Sequence, residues 1–318
     1  MIGTDFDYLR PTSVSEALEM VSRDEDARFL AGGHALLPEW KLGRTRPPTL
    51  IDLGRIAELR GIEVLGRGGP PEVGGSGADV VVRIGALTTS TEIEYSPDIA
   101  RYTPLLAEAA AVISDPLIRN RATLGGSLAE ANPCGDWPPI ALAADASMHL
   151  RSRDGERTVS ARDFFARDGT VAQDGTVGGP GSTALRRGEL LIAVTVPAAG
   201  ALTRSTYLKC MHPASGHAMV GVAVAALFDT GETCRDCRIA VTGTATGAAR
   251  ALRAEAELVG SRLSRETIEA AAGVANDGIA FAGDEFGSAA YLARLLPIYV
   301  SRALSQLATP STGSDKDA

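Results

Sequence analysis

No lysine-rich run occurs anywhere in this chain, and the charge balance is acidic, −8 at neutral pH with an isoelectric point near 5.2. The basic face that a nucleic-acid binder or an anionic-membrane binder carries is therefore not expected. Aromatic residues are scarce at 5%. Long apolar runs are missing too. The longest, HAMVGVAVAALF from His217 to Phe228, is too short to span a bilayer as a helix. It reads as a buried strand rich in valine and alanine. The opening residues, MIGTDFDYLRP, lack a basic region followed by an apolar core, so no secretory signal is expected. The expected location is the cytoplasm.

Cysteine is also sparse, with four residues: Cys134, Cys210, Cys234 and Cys237. Disulfides are not expected in a reducing compartment. Cys234 and Cys237 form a lone C-x-x-C without the second pair that a four-ligand zinc site needs. A thioredoxin-like pair sits at a helix start after a strand. This pair precedes a strand instead, and so reads as two incidental cysteines at a strand entrance. The same count argues against a four-cysteine iron–sulfur cluster within this chain. The four histidines, His34, His149, His212 and His217, suggest neither a catalytic triad nor a metal site.

What is present is glycine, 35 residues of it, in a chain of 318 residues that predicts two or three compact units. FDYLRPTSVSEALEMVSR predicts a strand at Phe6–Leu9, then a helix begun by an S-x-x-E capping box at Ser13 and Glu16. ARFLAGG and PTLIDLGRI predict two further strands, completing a unit of about sixty residues. The glycine- and proline-rich stretch Gly66–Gly77 predicts a hairpin tip. VVVRIGA predicts a strand, and Thr103–Ile113 a helix with Thr103 as its cap and Pro104 in its first turn. SMHLRSR and GERTVSA alternate like paired strands, and GELLIAVTVP adds another. Arg167–Thr183 reads as a surface insertion. Beyond residue 200 the pattern becomes three strands followed by helices, an α+β order. Pro297 falls inside the last helical pattern, where it predicts a kink or a break. The tail from residue 308 predicts disorder.

Two glycine pairs carry the functional reading. In FLAGGHALLPEWKLG, an apolar segment ends at Gly32 and Gly33, and His34 follows. In RATLGGSLAEANPCGDWPPIALAADA, Leu124 precedes Gly125 and Gly126, and Ser127 follows. Adjacent glycines let the backbone come close to a partner, and successive free amides make a small anion-binding concavity. Two such turns facing each other would hold a pyrophosphate without lysine or arginine. Neither pair matches the G-x-G-x-x-G fingerprint or a P-loop. Ten residues after Gly126, Asp136 reads either as the N-cap of the helix beginning WPPIALA or as a carboxylate for a ribose. Spacing alone favours the cap.

LAGGHALLPEWKLG, LIDLGRIAELRGI, IGALTTSTEIE and DPLIRNRATLGGSLAEANPCGDWPPIALAADA, in this order, resemble the FAD-binding medium subunit of the molybdenum hydroxylases. The resemblance runs through GELLIAVTVP, STYLKC and MVGVAVAAL, roughly Phe6 to Leu307. It implies an α+β fold, with a two-part FAD-binding domain of the vanillyl-alcohol-oxidase (PCMH) type at 1–199, subdivided near residue 60. A smaller α+β domain of a three-stranded sheet plus helices would occupy 200–307. It implies FAD on this chain, with the pyrophosphate wrapped by Ala31, Gly32, Gly33, His34, Ala35 and Leu36 and by Thr123, Leu124, Gly125, Gly126 and Ser127. By the same resemblance Asp136 lies near the adenosine ribose, which reverses the preference for a cap, Leu191 lies beside the flavin, and Lys209 belongs to the cofactor site. Partner chains would be a large subunit with the molybdenum cofactor and a small subunit with [2Fe-2S] clusters, in a heterotrimer or its dimer. Electrons would pass from those clusters through FAD to NAD+, oxygen or another acceptor. Cys134, Gly135 and VTGTATGAARA depart from the family's usual residues. Arg119 and Arg121, just before the second turn, read either as caps or as groups facing the cofactor or the cluster-bearing partner. Two other readings stand beside this one: a self-sufficient FAD-dependent oxidase or dehydrogenase, for which no general base can be nominated, and a non-enzymatic scaffold of the same fold.

Overall fold

The computed structural model describes residues 5–24, 26–66, 80–165, 182–283 and 287–308. Most of the Gly66–Gly77 and Arg167–Thr183 stretches and the tail from residue 309 lie outside these. The chain begins with a parallel sheet of three short strands, β1 (Asp7–Leu9), β2 (Arg28–Leu30) and β3 (Thr49–Asp52), in the order β1-β3-β2. α1 (Val14–Arg23) joins β1 to β2, and α2 (Leu36–Lys41) lies between β2 and β3. α1 starts where the sequence predicts, with the Ser13 hydroxyl accepting from the Glu16 amide at 3.2 Å. The return half of the capping box is shifted by one residue. Glu16 accepts from the amide of Thr12 at 2.7 Å rather than from that of Ser13. Val14, Ala17 and Leu18 pack with Ile51, Leu53, Ile56 and Leu59 into a small core.

A five-stranded antiparallel sheet follows, ordered β4-β5-β8-β6-β7, from β4 (Ile62–Leu65), β5 (Val81–Gly85), β6 (Ser147–Ser152), β7 (Gly155–Ser160) and β8 (Leu190–Pro197). Between β5 and β6 the chain leaves the sheet for six short helices: α3 (Ser90–Glu94), α4 (Pro97–Tyr102), α5 (Pro104–Ala111), α6 (Pro116–Arg119), α7 (Leu124–Glu130) and α8 (Trp137–Ala143). α9 (Ala161–Phe164) follows β7. β8 serves two cores. Leu190 and Ile192 face the small one, and Leu191, Val194 and Val196 face the large one. Strict alternation would put Leu191 and Val194 on opposite faces. A bulge opposite His149 and Leu150 absorbs one residue of β8 and corrects the parity.

The rest of the chain forms β9 (Thr203–Met211), β10 (Ala218–Phe228), β11 (Cys234–Thr242) and β12 (Ala249–Arg250), then α10 (Leu252–Leu258), α11 (Arg265–Gly273) and α12 (Ala289–Ala308). The two-residue edge strand β12 makes this sheet four-stranded, in the order β12-β11-β10-β9, where the sequence suggests three strands. The uninterrupted apolar run is explained by burial of β10 on both faces. Val220, Val222, Val224, Ala226 and Phe228 face the C-terminal helices, whereas Ala223 and Ala225 join the large core, on the side of α8. Cys234 and Cys237 both enter the C-terminal core, because the β10–β11 register shifts between Leu227 and Phe228.

α12 neither ends nor breaks at Pro297, and Ala308 still belongs to it. A proline lacks the amide that would satisfy the carbonyl four residues earlier. That carbonyl, on Ala293, instead accepts the side-chain amide of Asn276 at 2.7 Å.

Candidate functional site

The two glycine turns lie against each other. β2 ends at Leu30, the chain bends through Gly32 and Gly33, and α2 begins at Leu36. A Cβ on Gly32 would lie 2.1 Å from the Arg121 carbonyl oxygen, so the first turn seats directly on the backbone leading into the second. Gly33 has φ of +80°, a conformation that glycine adopts without penalty. On the other side, a Cβ on Gly126 would be 3.6 Å from the Ala31 Cβ. The glycine pairs therefore admit each other's neighbourhoods, and the close approach inferred from sequence is, in the first place, of one turn to the other.

The turns differ in what they have left to donate. In the first, the amides of Gly33, His34 and Ala35 donate to no acceptor among the described residues. In the second, Leu124 donates to the Thr88 carbonyl, Gly125 to the Ala86 carbonyl at 2.8 Å, and Ser127 to the Thr123 carbonyl. Gly126 donates to the Thr123 hydroxyl at 3.2 Å, which makes Thr123 the N-cap of α7. A Cβ on Gly125 would lie 2.5 Å from that of Ala86. Ala86 in turn donates to the Ile192 carbonyl on β8. The second turn is thus bolted to the sheet, while the first presents a short run of unpaired amides above it.

Asp136 lies beyond α7. Ala131 ends that helix in the left-handed conformation, and the loop that follows is clamped from the C-terminal sheet. The Pro133 carbonyl accepts from the Thr242 hydroxyl at 2.7 Å and the Gly243 amide at 2.8 Å. Asp136 precedes α8, yet its side chain makes no cap hydrogen bond. It turns toward β9. Asp136 Oδ1 accepts from the Tyr207 hydroxyl at 2.6 Å and from Lys209 Nζ at 3.1 Å, and Oδ2 lies 3.2 Å from the same Nζ. Lys209 also donates to the Gly216 carbonyl at 3.0 Å. The lysine and aspartate side chains are only 4% and 8% exposed. Burial and the adjacent carboxylate push the Tyr207 phenol well above its ordinary range, which keeps it a donor.

Residues 4–199 match the family described as the FAD binding domain in molybdopterin dehydrogenase, and residues 205–307 match the CO dehydrogenase flavoprotein C-terminal domain. The chain belongs to the FAD-binding medium subunits of the molybdenum hydroxylase family. This FAD subunit is 36% identical to the carbon monoxide dehydrogenase medium chain of Hydrogenophaga pseudoflava, over 96% of its own length and 98% of that chain. It is 33% identical to the nicotine 6-hydroxylase medium subunit of Paenarthrobacter nicotinovorans, over 93% of its own length and 95% of the relative's. A solved carbon monoxide dehydrogenase from H. pseudoflava, lacking the Mo-pyranopterin moiety of its molybdenum cofactor, contains a chain that superimposes with a TM-score of 0.85. That chain has 37% identity to this one, and the match covers 96% of this chain and 98% of the other. The chain therefore has the α+β fold of these medium subunits and is an FAD-dependent oxidoreductase subunit.

Within the FAD subunit the sequence-predicted residues fall into separate groups. Ala31 to Leu36 and Thr123 to Ser127 form the paired turns, with His34 exposed on the first. Asp136 and Lys209 meet as a buried ion pair. Leu191 is buried in the large core beneath, 4% exposed. Arg119 is held by Glu94 at 2.9 Å and by the carbonyls of Ile113 and Ser114, which makes it a structural brace. Arg121 is exposed, and its backbone carbonyl is what meets Gly32. His212 accepts at Nδ1 from the amides of Ala214 and Ser215 and so caps its own turn. Among the described residues no group of three or more His, Cys, Asp or Glu could hold a metal ion. Sequence reasoning missed Tyr207 and Ala86. Tyr207 had a signal, since it stands two residues before Lys209 on one strand and therefore on the same face.

Proposed function

We propose that this chain is the electron-transfer subunit of a molybdenum hydroxylase complex, holding FAD while partner chains carry out substrate chemistry. The observation that carries this reading is the cradle of paired turns. Three consecutive amides without acceptors among the described residues stand on a first turn whose glycine has no room for a Cβ, which is the donor set a pyrophosphate needs. The residues Ala31 to Leu36 and Thr123 to Ser127 would surround the phosphates. Asp136, oriented by Lys209, would accept from the adenosine ribose, and Leu191 would underlie the flavin end. FAD, once bound, supplies a group that accepts and passes on electrons. The chain's own contribution is to bind it, orient it and keep its phosphates neutralised by backbone dipoles.

Electrons would arrive from [2Fe-2S] clusters on a small partner subunit, fed by a molybdenum cofactor on a large one. They would leave to NAD+, oxygen or another acceptor. The relatives' description as medium chains or medium subunits supports an assembly of this kind, a heterotrimer or its dimer. Domain limits of 1–199 and 200–307 and a cytoplasmic location belong to the same reading. Among the described residues no helix is long and apolar enough to cross a membrane.

The test is purification from the native host in mild salt, with a visible spectrum and identification of whatever co-purifies. Acid-releasable FAD together with two further chains carrying iron and molybdenum is the expected result. FAD on a solitary chain that turns over a substrate would overturn the electron-transfer reading in favour of an independent flavoenzyme.

A further inference from the structure

Tyr207 comes from β9, across the boundary between the two matched families, and reaches 71 residues back in sequence to Asp136. Room has been made for it. Gly221 stands opposite Lys209 on β10, and a Cβ there would lie 2.5 Å from the Tyr207 hydroxyl oxygen. The phenol is fully enclosed, 2% exposed, and its oxygen donates only to Asp136.

The acceptor capacity of the carboxylate can be counted. Each oxygen offers two lone pairs. On Oδ1, Tyr207 takes one and Lys209 the other. On Oδ2, Lys209 takes one at 3.2 Å, which leaves a single lone pair for an incoming donor. A vicinal diol that grips a carboxylate with both hydroxyls needs a site on each oxygen. That mode is closed here, because Oδ1 is filled from within.

We propose that Tyr207 is a positioning residue which saturates Oδ1 and so leaves Asp136 able to accept one ribose hydroxyl, through Oδ2 alone. The inference rests on the reading of Asp136 as the ribose acceptor. It adds that the C-terminal unit, through Tyr207, decides how the carboxylate is presented. Loss of this hydroxyl frees a lone pair on Oδ1, and the carboxylate then loses its preference for one hydroxyl over the other.

The test uses the full chain freed of flavin, titrated with FAD and with two FAD analogues that lack either the 2′- or the 3′-hydroxyl of the adenosine ribose. For the wild type, one analogue should bind about ten-fold more weakly than FAD, and the other should bind as FAD does. In Tyr207→Phe, FAD itself should bind at least as tightly as it does to the wild type, and the two analogues should differ by less than about two-fold. If Tyr207→Phe weakens all three ligands in equal proportion and the contrast between analogues persists, Tyr207 only supports packing and the proposal is overturned. If both analogues bind the wild type as tightly as FAD does, the ribose reading of Asp136 fails and takes the proposal with it. Should Tyr207→Phe not fold, Gly221→Ala displaces the same hydroxyl by its methyl, and the loss of contrast between analogues is expected there too.

Discussion

Gly32 and Gly33 look alike in sequence and answer to different constraints. Gly33 needs its left-handed φ, whereas Gly32 needs to have no side chain, because the Arg121 carbonyl occupies the position of its Cβ. Gly32→Ala should force the two turns apart, at a cost of at least about 2–3 kcal/mol. Denaturant titration of the flavin-free chain measures it. A variant as stable as wild type would show that the turns do not depend on one another. Close approach of this kind was legible in the sequence as a glycine pair after a strand. Its direction was not, since the partner at Arg121 lies about ninety residues away. Asp136 was legible as important but not as to why. Position before WPPIALA suggests a cap, and the cap is not made because Tyr207 and Lys209, from a different sheet, draw the carboxylate away.

At the scale of elements, propensity and pattern carried well wherever partners were local. α1, its Ser13 cap, the β6–β7 pair and β10 follow from periodicity. The short helices between β5 and β6 were less legible, because four-to-eight-residue helices are held by tertiary contacts such as the half-buried Arg119–Glu94 pair. α12 shows how a strong local signal is overruled. Pro297 should break the helix, but Asn276 satisfies the carbonyl that proline strands. Asn276→Ala should therefore destabilise by about 1–3 kcal/mol, and much less when Pro297→Ala restores the helical donor. A double-mutant cycle with no coupling would sever this link. In the five-stranded sheet His149 bridges Thr195 at 3.0 Å and Thr158 at 3.1 Å. Burial first, and then the positive charge of Arg83, hold its imidazole below the ordinary value of 6.5. The folded state thus binds the proton less readily than the unfolded one. The stability His149 contributes is complete above 6.5 and is lost as pH falls toward its depressed folded value. Between about pH 7 and pH 5 the wild type should lose more stability than His149→Gln, and parallel pH profiles would refute it.

For the molecule as a whole, the two halves share a core rather than touch at a rim. Tyr207, Ala223, Ala225 and Ala240 of the C-terminal sheet belong to the same apolar cluster as α5, α7 and α8. Across that junction lie the Lys209–Asp136 pair and the Pro133 clamp. Lys209→Met would leave a buried carboxylate without its cation, and should lower the unfolding free energy by about 3–5 kcal/mol. Calorimetry should record a single transition for the wild type and for this variant. Two separated transitions would mean that the halves are independent.

The double burial of β10 has a consequence for how such chains diverge. Its even-numbered positions from 220 to 228 answer to the C-terminal helices, and Ala223 and Ala225 answer to the large core. One strand therefore holds two interleaved registers of constraint. Across related sequences, size changes at Val222 or Val224 should covary with α12, and those at Ala223 or Ala225 with α8, with little exchange between the two sets. A recombinant that grafts only one half from a distant relative inherits half of each agreement, and β10 is where the mismatch would be felt.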